Sequence, residues 1–241
     1  WYENMSRTLY RSRIERALPS IMEKIERAAG KSGRCAEDIT LVAVTKSHPM
    51  SAILEVLELQ VFDLGENRVE ELRSKKAMVP DERVRWHMIG HLQGRKVPAV
   101  LGATHLIHSV DSLKLAKRLS VRAVESGNKE QVLLQVNTSK EGTKGGFVFP
   151  RMEKDLHDAL TLPGLKISGL MTMAPFTDDA KILRMTFRML RELREELMLS
   201  QLLTGKELSM GMSNDFEIAI EEGSTMVRLG TVLFGKPILD N

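Results

Sequence analysis

The stretch Ile39-Thr40-Leu41-Val42-Ala43-Val44-Thr45-Lys46-Ser47-His48-Pro49 decides how the chain is read. Alternation at period two sets Val42, Val44 and Lys46 on one face of a strand, so an ammonium extends an apolar, inward-facing column to its carboxyl end. A lysine buried there is expected to be primed for nucleophilic capture of a carbonyl. The bland alternative is a lysine that marks where a strand meets solvent.

Outward from this run, short apolar segments alternate with amphipathic ones. Strand-like runs occupy 39–46, 61–65, 86–90, 105–110, 131–136, 166–173, 207–212 and 226–234. A polar helix-period segment, Ser12 to Ala29, precedes them and stops at Gly30 and Gly33. The clearest intervening helix is expected from Asp178 to Leu199, where Leu183, Phe187, Leu190, Leu193 and Leu197 recur at helical spacing. Asp111-Ser112 and Ser213-Asn214-Asp215 read as amino-terminal caps of two others. Strict strand–helix alternation implies a parallel sheet, and this number of units closes a (β/α)8 TIM-type barrel, with residues 1–33 as an extra N-terminal helix packed on it. The other architecture that fits is an open doubly wound sheet, but Ser47-His48-Pro49 stands where a dinucleotide fingerprint would open the first helix. With no linker or low-complexity run, residues 1–241 read as one domain.

Barrel chemistry sits at the carboxyl ends of the strands. Besides Lys46, those ends carry Glu66 and Asn67, His91 and Gln93, Ser109 and Asp111, Asn137, Thr172, Ser213 and Asn214, and Arg228 with Gly230-Thr231. The last two units match a phosphate site: Met210-Gly211-Met212-Ser213-Asn214 runs into a helix expected from Asp215 to Glu222, and Leu229-Gly230-Thr231 offers a second cradle. A phosphate site facing a strand-one lysine suggests a phosphorylated aldehyde held as a Schiff base. Parity sets Arg228 on the strand face of Met226 and Gly230, where it either meets a ligand ring or makes a structural ion pair. His87 with His91 and His105 with His108 have spacings that metal sites also use, but no cysteine or carboxylate is spaced to complete one, so no metal is expected. Lys75 and Lys76 read as solvent-facing charge, and the methionines as core filling.

Composition excludes several classes. Hydrophobic residues make up 42% and charged residues 28%, as in an ordinary globular protein. The net charge of +3 is interspersed rather than blocked, which argues against a nucleic-acid stripe. A single cysteine, Cys35, and the lack of a membrane-length apolar run or signal layout fit a reducing, cytoplasmic setting.

The motifs Ala43-Val44-Thr45-Lys46, Gly65-Glu66-Asn67, His87-Met88-Ile89-Gly90-His91-Leu92-Gln93, Ser109-Val110-Asp111, Gly169-Leu170-Met171-Thr172-Met173, Leu208-Ser209-Met210-Gly211-Met212-Ser213 and Val227-Arg228-Leu229-Gly230 together resemble the pyridoxal-phosphate homeostasis family. Its fold is that of the amino-terminal barrel of alanine racemase. The resemblance implies pyridoxal 5'-phosphate as cofactor, held as an aldimine on Lys46. It further implies a 5'-phosphate held by Ser213, Gly230 and Thr231, with Met210 also at the cofactor, Asn67 lining the ring pocket and Arg228 facing the pyridine nitrogen. The loop 137–146 is less typical, which bears on partner contacts rather than on the cofactor.

Racemisation needs an acid/base on each face of Cα, and the tyrosines of this chain, Tyr2 and Tyr10, precede the barrel. A guanidinium at the pyridine nitrogen would weaken the electron sink. The expectation is therefore a monomeric carrier without catalytic residues, buffering the cofactor or passing it to apo-enzymes. The alternatives are an amino-acid racemase-like enzyme with Lys46 as base, and a lysine aldolase acting on a phosphorylated sugar.

Overall fold

In a computed structural model, residues 2–139, 145–148 and 152–237 are described. Eight strands alternate with helices: β1 (Thr40–Val44), β2 (Asp63–Glu66), β3 (Arg85–Met88), β4 (Leu106–Val110), β5 (Glu130–Gln135), β6 (Leu165–Met171), β7 (Glu207–Ser209) and β8 (Met226–Leu229). Helix α1 (Tyr2–Lys31) precedes β1. Between and after the strands lie α2 (Met50–Glu58), α3 (Val69–Met78), α4 (Val97–Val100), α5 (Leu113–Glu125), α6 (Met152–Leu160), α7 (Ala180–Leu199), α8 (Phe216–Glu221) and α9 (Thr231–Phe234). Every strand pair is parallel, and β8 returns to β1, so the sheet is a closed barrel and not the open doubly wound alternative.

Alternation divides the core in two. Outward residues such as Leu41, Ala43, Leu208, Val227 and Leu229 join the large apolar layer beneath the helices. Inward residues Leu106, Leu133, Met171 and Met226 form a small cluster inside the barrel. The remaining inward positions include buried polar groups, among them His87, His108, Ser209 and Arg228. Register sets Val42 opposite Arg228 across the β1–β8 seam, which sends the guanidinium inward.

Element ends differ from the sequence reading where backbone geometry intervenes. The eighth run was expected to be strand through Phe234, but β8 stops at Leu229, and Gly230 (φ −114°, ψ −82°) turns the chain directly into α9. Helix α1 begins ten residues before the expected Ser12. Its early turns are held by Arg7, which pairs with Glu55 and Glu58, and by Arg11, which pairs with Glu58 at 2.6 Å. Ser112 caps α5 by accepting the Leu115 N–H, and Asp179 caps α7.

Helix α1 packs on α2, α8 and α9, covering the β8–β1 seam. Its buried stripe comprises Tyr10, Ile14, Ile21, Ile25 and Ala28. Tyr10 shares a hydrogen bond of 2.9 Å with His48 Nδ1, and the His48 ring lies 4.9 Å from that of Phe234. The helix therefore touches the segment after β1 and the helix after β8 at once.

Burial, aided by the charges of Lys75 and Arg13, holds the His48 pKa down at about 4. Between its ordinary 6.5 and about 4, the unfolded chain takes a proton that the folded chain refuses. The stabilisation is complete above pH 6.5 and is lost as pH falls towards 4, with a limiting slope of about 1.4 kcal/mol per pH unit. Urea unfolding across this range is expected to show a shallower decline in His48→Asn, which keeps an acceptor for Tyr10 but does not titrate. Tyr10→Phe is expected to lose about 1 kcal/mol at neutral pH in the same assay.

Candidate functional site

The carboxyl ends of the strands open into a cavity of about 880 Å³. Six of the seven residues expected at the cofactor line it together: Lys46, Asn67, Ser213, Arg228, Gly230 and Thr231. His91, Asp111, Asn214 and Asp215 also face it, as do the apolar groups of Val44, Ile89, Met173 and Met212.

Lys46 is exposed at the mouth, which corrects the expectation of a buried ammonium. Parity holds for Val42 and Val44, but β1 ends at Val44, and the chain turns through Ser47, whose φ of 61° lies in the left-handed region. A buried charge cluster fixes that turn. Lys75, expected to be solvent-facing, is instead buried, and its Nζ donates to the Thr45 carbonyl (2.7 Å), Glu66 Oε1 (2.7 Å) and Glu71 Oε1 (2.6 Å). Thr45 Oγ1 also donates to Glu66 Oε1, at 2.5 Å, and the Ser47 N–H donates to Glu71 at 2.8 Å. Burial pushes the Glu66 carboxyl above its usual range against the pull of Lys75, and Glu66 Oε2 has no hydrogen-bond partner among the described residues. Glu66 is therefore a buried support for the lysine-bearing turn and not a cavity wall.

The two loops expected to hold phosphate are joined directly: the Val232 N–H donates to Ser213 Oγ at 3.3 Å. Asp215 stands just before α8 and shapes the preceding turn by accepting the Met212 N–H at 2.6 Å. Met210, expected at the cofactor, is fully buried in the outer core and lies outside the cavity lining. Strand parity explains the correction: Leu208 and Met210 point outward and Ser209 inward, while Gly211 (φ +101°) turns the chain so that Met212 reaches the cavity.

Arg228 makes no ion pair among the described residues. Its guanidinium donates to Ser209 Oγ (2.5 Å) and to the Thr172 carbonyl (3.1 Å), and burial lowers its pKa to about 10. At the opposite wall, His91 and Asp111 share a hydrogen bond of 2.9 Å. Gly90 permits the loop after β3 to approach Asn67, because a Cβ there would lie 2.3 Å from the Asn67 carbonyl oxygen. Of the other strand-end residues, Ser109 donates to the Gly90 carbonyl and Thr172 is buried against Thr138, so both support the rim from behind. Of the loop 137–146, residues 140–144 lie outside the described residues. His87 and His108 face each other in the barrel at hydrogen-bond distance (2.8 Å), and no cluster of three or more metal-ligating residues occurs among the described residues. No described helix is long and apolar enough to cross a membrane.

Several cavity residues had escaped the sequence reading, among them Gln135 at the end of β5 and Phe176. Phe176, 94% exposed at the mouth, lies in a loop whose course no periodicity reveals.

The alanine racemase N-terminal domain family matches residues 20–237. The pyridoxal phosphate homeostasis protein of Aquifex aeolicus is 41% identical over 220 residues, 91% of this chain and 96% of that protein. That of Pseudomonas aeruginosa is 36% identical over 224 residues, 93% and 96% of the two chains. Among solved structures, PipY of Synechococcus elongatus with PLP bound aligns with a TM-score of 0.77 at 36% identity, over 88% of this chain and all of PipY. Alanine racemase of Clostridium difficile, at 16% identity and a TM-score of 0.72 over 90% of this chain and 56% of its own, shares the fold.

Replacing Lys75 with Met leaves Glu66 buried without its counter-charge, and is expected to cost about 3–5 kcal/mol in urea unfolding. Adding Glu66→Gln should recover part of that loss. Lys75→Met at wild-type stability would contradict a supporting role for the cluster.

Proposed function

This chain belongs to the pyridoxal phosphate homeostasis family, and from that premise we propose that its cavity holds pyridoxal 5'-phosphate covalently through Lys46. The observation that carries the reading is the convergence of Lys46, Asn67, Ser213, Arg228, Gly230 and Thr231 on one cavity. Ser213, Gly230 and Thr231 hold the 5'-phosphate, where hydroxyl and backbone donors suit an anion. Asn67 lines the ring, and Arg228 faces the ring nitrogen. When bound, the cofactor supplies an electrophilic carbonyl and an electron sink. A guanidinium, which only donates hydrogen bonds, disfavours protonation of that nitrogen and so damps the sink.

The protein acts as an intracellular carrier that buffers the reactive aldehyde and delivers it to apo-enzymes, with little or no catalysis. A monomer suffices for this role, because all six proposed ligands come from one chain. The exposed position of Lys46 supports release, since an incoming amine can reach the carbon that the lysine holds.

One observation favours the racemase-like alternative. The His91–Asp111 pair lines the same cavity as Lys46 and supplies a second proton-transfer group that the tyrosines do not.

Visible spectroscopy of the loaded protein, followed by borohydride trapping and peptide mapping, tests the proposal. A yellow band is expected in the wild type, with reduced pyridoxyl on Lys46 and no band in Lys46→Ala. A wild type that stays colourless after cofactor addition would falsify the carrier reading. Cα deuterium exchange into L-alanine separates the two functions: negligible exchange supports the carrier, whereas turnover that disappears in His91→Asn supports the enzyme.

A further inference from the structure

Inside the barrel, beneath the cavity, five side chains from five strands form a continuous hydrogen-bonded line. Arg228 on β8 reaches Ser209 on β7 at 2.5 Å, and Ser209 Oγ reaches His108 Nδ1 on β4, across the barrel, at 2.8 Å. His108 Nε2 meets His87 Nδ1 on β3 at 2.8 Å, and His87 Nε2 meets Asp63 Oδ1 on β2 at 2.9 Å. Asp63 also accepts from Arg85 at the rim of the barrel. All five members are buried.

With one ring proton on each histidine, the two ends set the direction of every hydrogen bond between them. Arginine can only donate, and an ionised carboxylate can only accept. Burial alone would raise the Asp63 carboxyl, but hydrogen bonds from Arg85 and His87 outweigh it and bring its pKa down to about 2, so it is ionised at neutral pH. His87 must then donate from Nε2, and with its single ring proton placed there Nδ1 is left as an acceptor. His108 must donate from Nε2 to that acceptor. Burial keeps His108 neutral, so its Nδ1 accepts the Ser209 hydroxyl proton. The Ser209 oxygen is thereby free to accept from Arg228. Every donor points the same way, from cavity to carboxylate, and no member has to be left unsatisfied.

We infer that Asp63, His87, His108 and Ser209 are positioning residues for Arg228, a one-way hydrogen-bond chain that holds the guanidinium at the cavity floor. A merely space-filling set of buried polar groups would need no common direction. The chain does so because a serine with its own proton committed to His108 presents only lone pairs to Arg228. With the Thr172 carbonyl as the second acceptor, the guanidinium is held at two points. The consequence for pyridoxal phosphate rests on the carrier reading above; the direction of the chain does not.

Histidine 15N–1H correlation spectra of the cofactor-free protein at neutral pH read the direction. Both His87 and His108 are expected as neutral Nε2–H tautomers, and a Nδ1–H or doubly protonated His108 overturns the chain. Positioning is read on Ser209→Ala and Ser209→Thr. In the alanine variant, exchange of the Arg228 Nη protons is expected to speed up about tenfold and pyridoxal phosphate affinity to fall about tenfold, as for loss of a hydrogen bond to a charged group. The absorption band of the loaded protein should also move, with threonine restoring all three. Unchanged exchange, affinity and band in Ser209→Ala overturn the inference. If the wild type takes up no cofactor, the carrier reading fails alone, and the tautomer and exchange measurements still decide the chain.

Discussion

The seam between β8 and β1 pairs Val42 with Arg228, and much else follows from that register. It closes the sheet, and with closure every strand acquires a definite inside. A slip of one residue would exchange Arg228 for Val227 or Leu229, driving a guanidinium into the apolar layer beneath the helices. The same register brings Gly230 alongside Val44, its nearest neighbour, so that the turn into α9 and the strand leading to Lys46 border one cavity. The placement of the cavity is thus set by a choice of face made at the start of the barrel and honoured at its end.

Beneath the rim, the barrel uses buried charge where an apolar filling would serve stability as well or better. The pair Lys75–Glu66 and the line from Asp63 to Arg228 both take ionised groups out of water, and such pairs earn little net folding energy. Their contribution is geometric. Lys75 binds the carbonyl just before Lys46, while Glu71 holds the left-handed Ser47 just after it, so the turn is clamped on both sides of its functional residue. Residue 46 itself stays free of the clamp, which leaves an accessible amine on a fixed backbone.

The fold was legible in the sequence because closure of a parallel barrel follows from counting alternating runs, and those runs are written in apolar periodicity. The cavity residues were legible for a related reason: strand-end polarity at Lys46, Asn67, Ser213 and Arg228 has no apolar explanation. What failed did so at turns. Met210 points outward with Leu208 by strand parity, and it is Met212, beyond the turn at Gly211, that reaches the cavity; β8 was overextended because Gly230 breaks the strand inside an unbroken apolar run. Lys75 looked like surface charge because nothing in its own helix signals a carboxylate waiting on β2. Ser209, His108 and His87 were each visible by parity, but their alignment across the barrel depends on the stagger of strands far apart in sequence.

Helix α1 has a kinetic meaning as well. Its docking partners come from both ends of the barrel: Arg7 pairs with Glu55 on α2, whereas Arg27 pairs with Glu217 and Arg13 donates to the Phe234 carbonyl across a separation of 221 residues. Local contacts can form the helix early and α2 can receive one side of it, but the side that packs on α8 and α9 cannot dock until β8 has been made. A chain emerging from the ribosome therefore carries part of this stripe without its docking surface until the β8 unit of the barrel has been made.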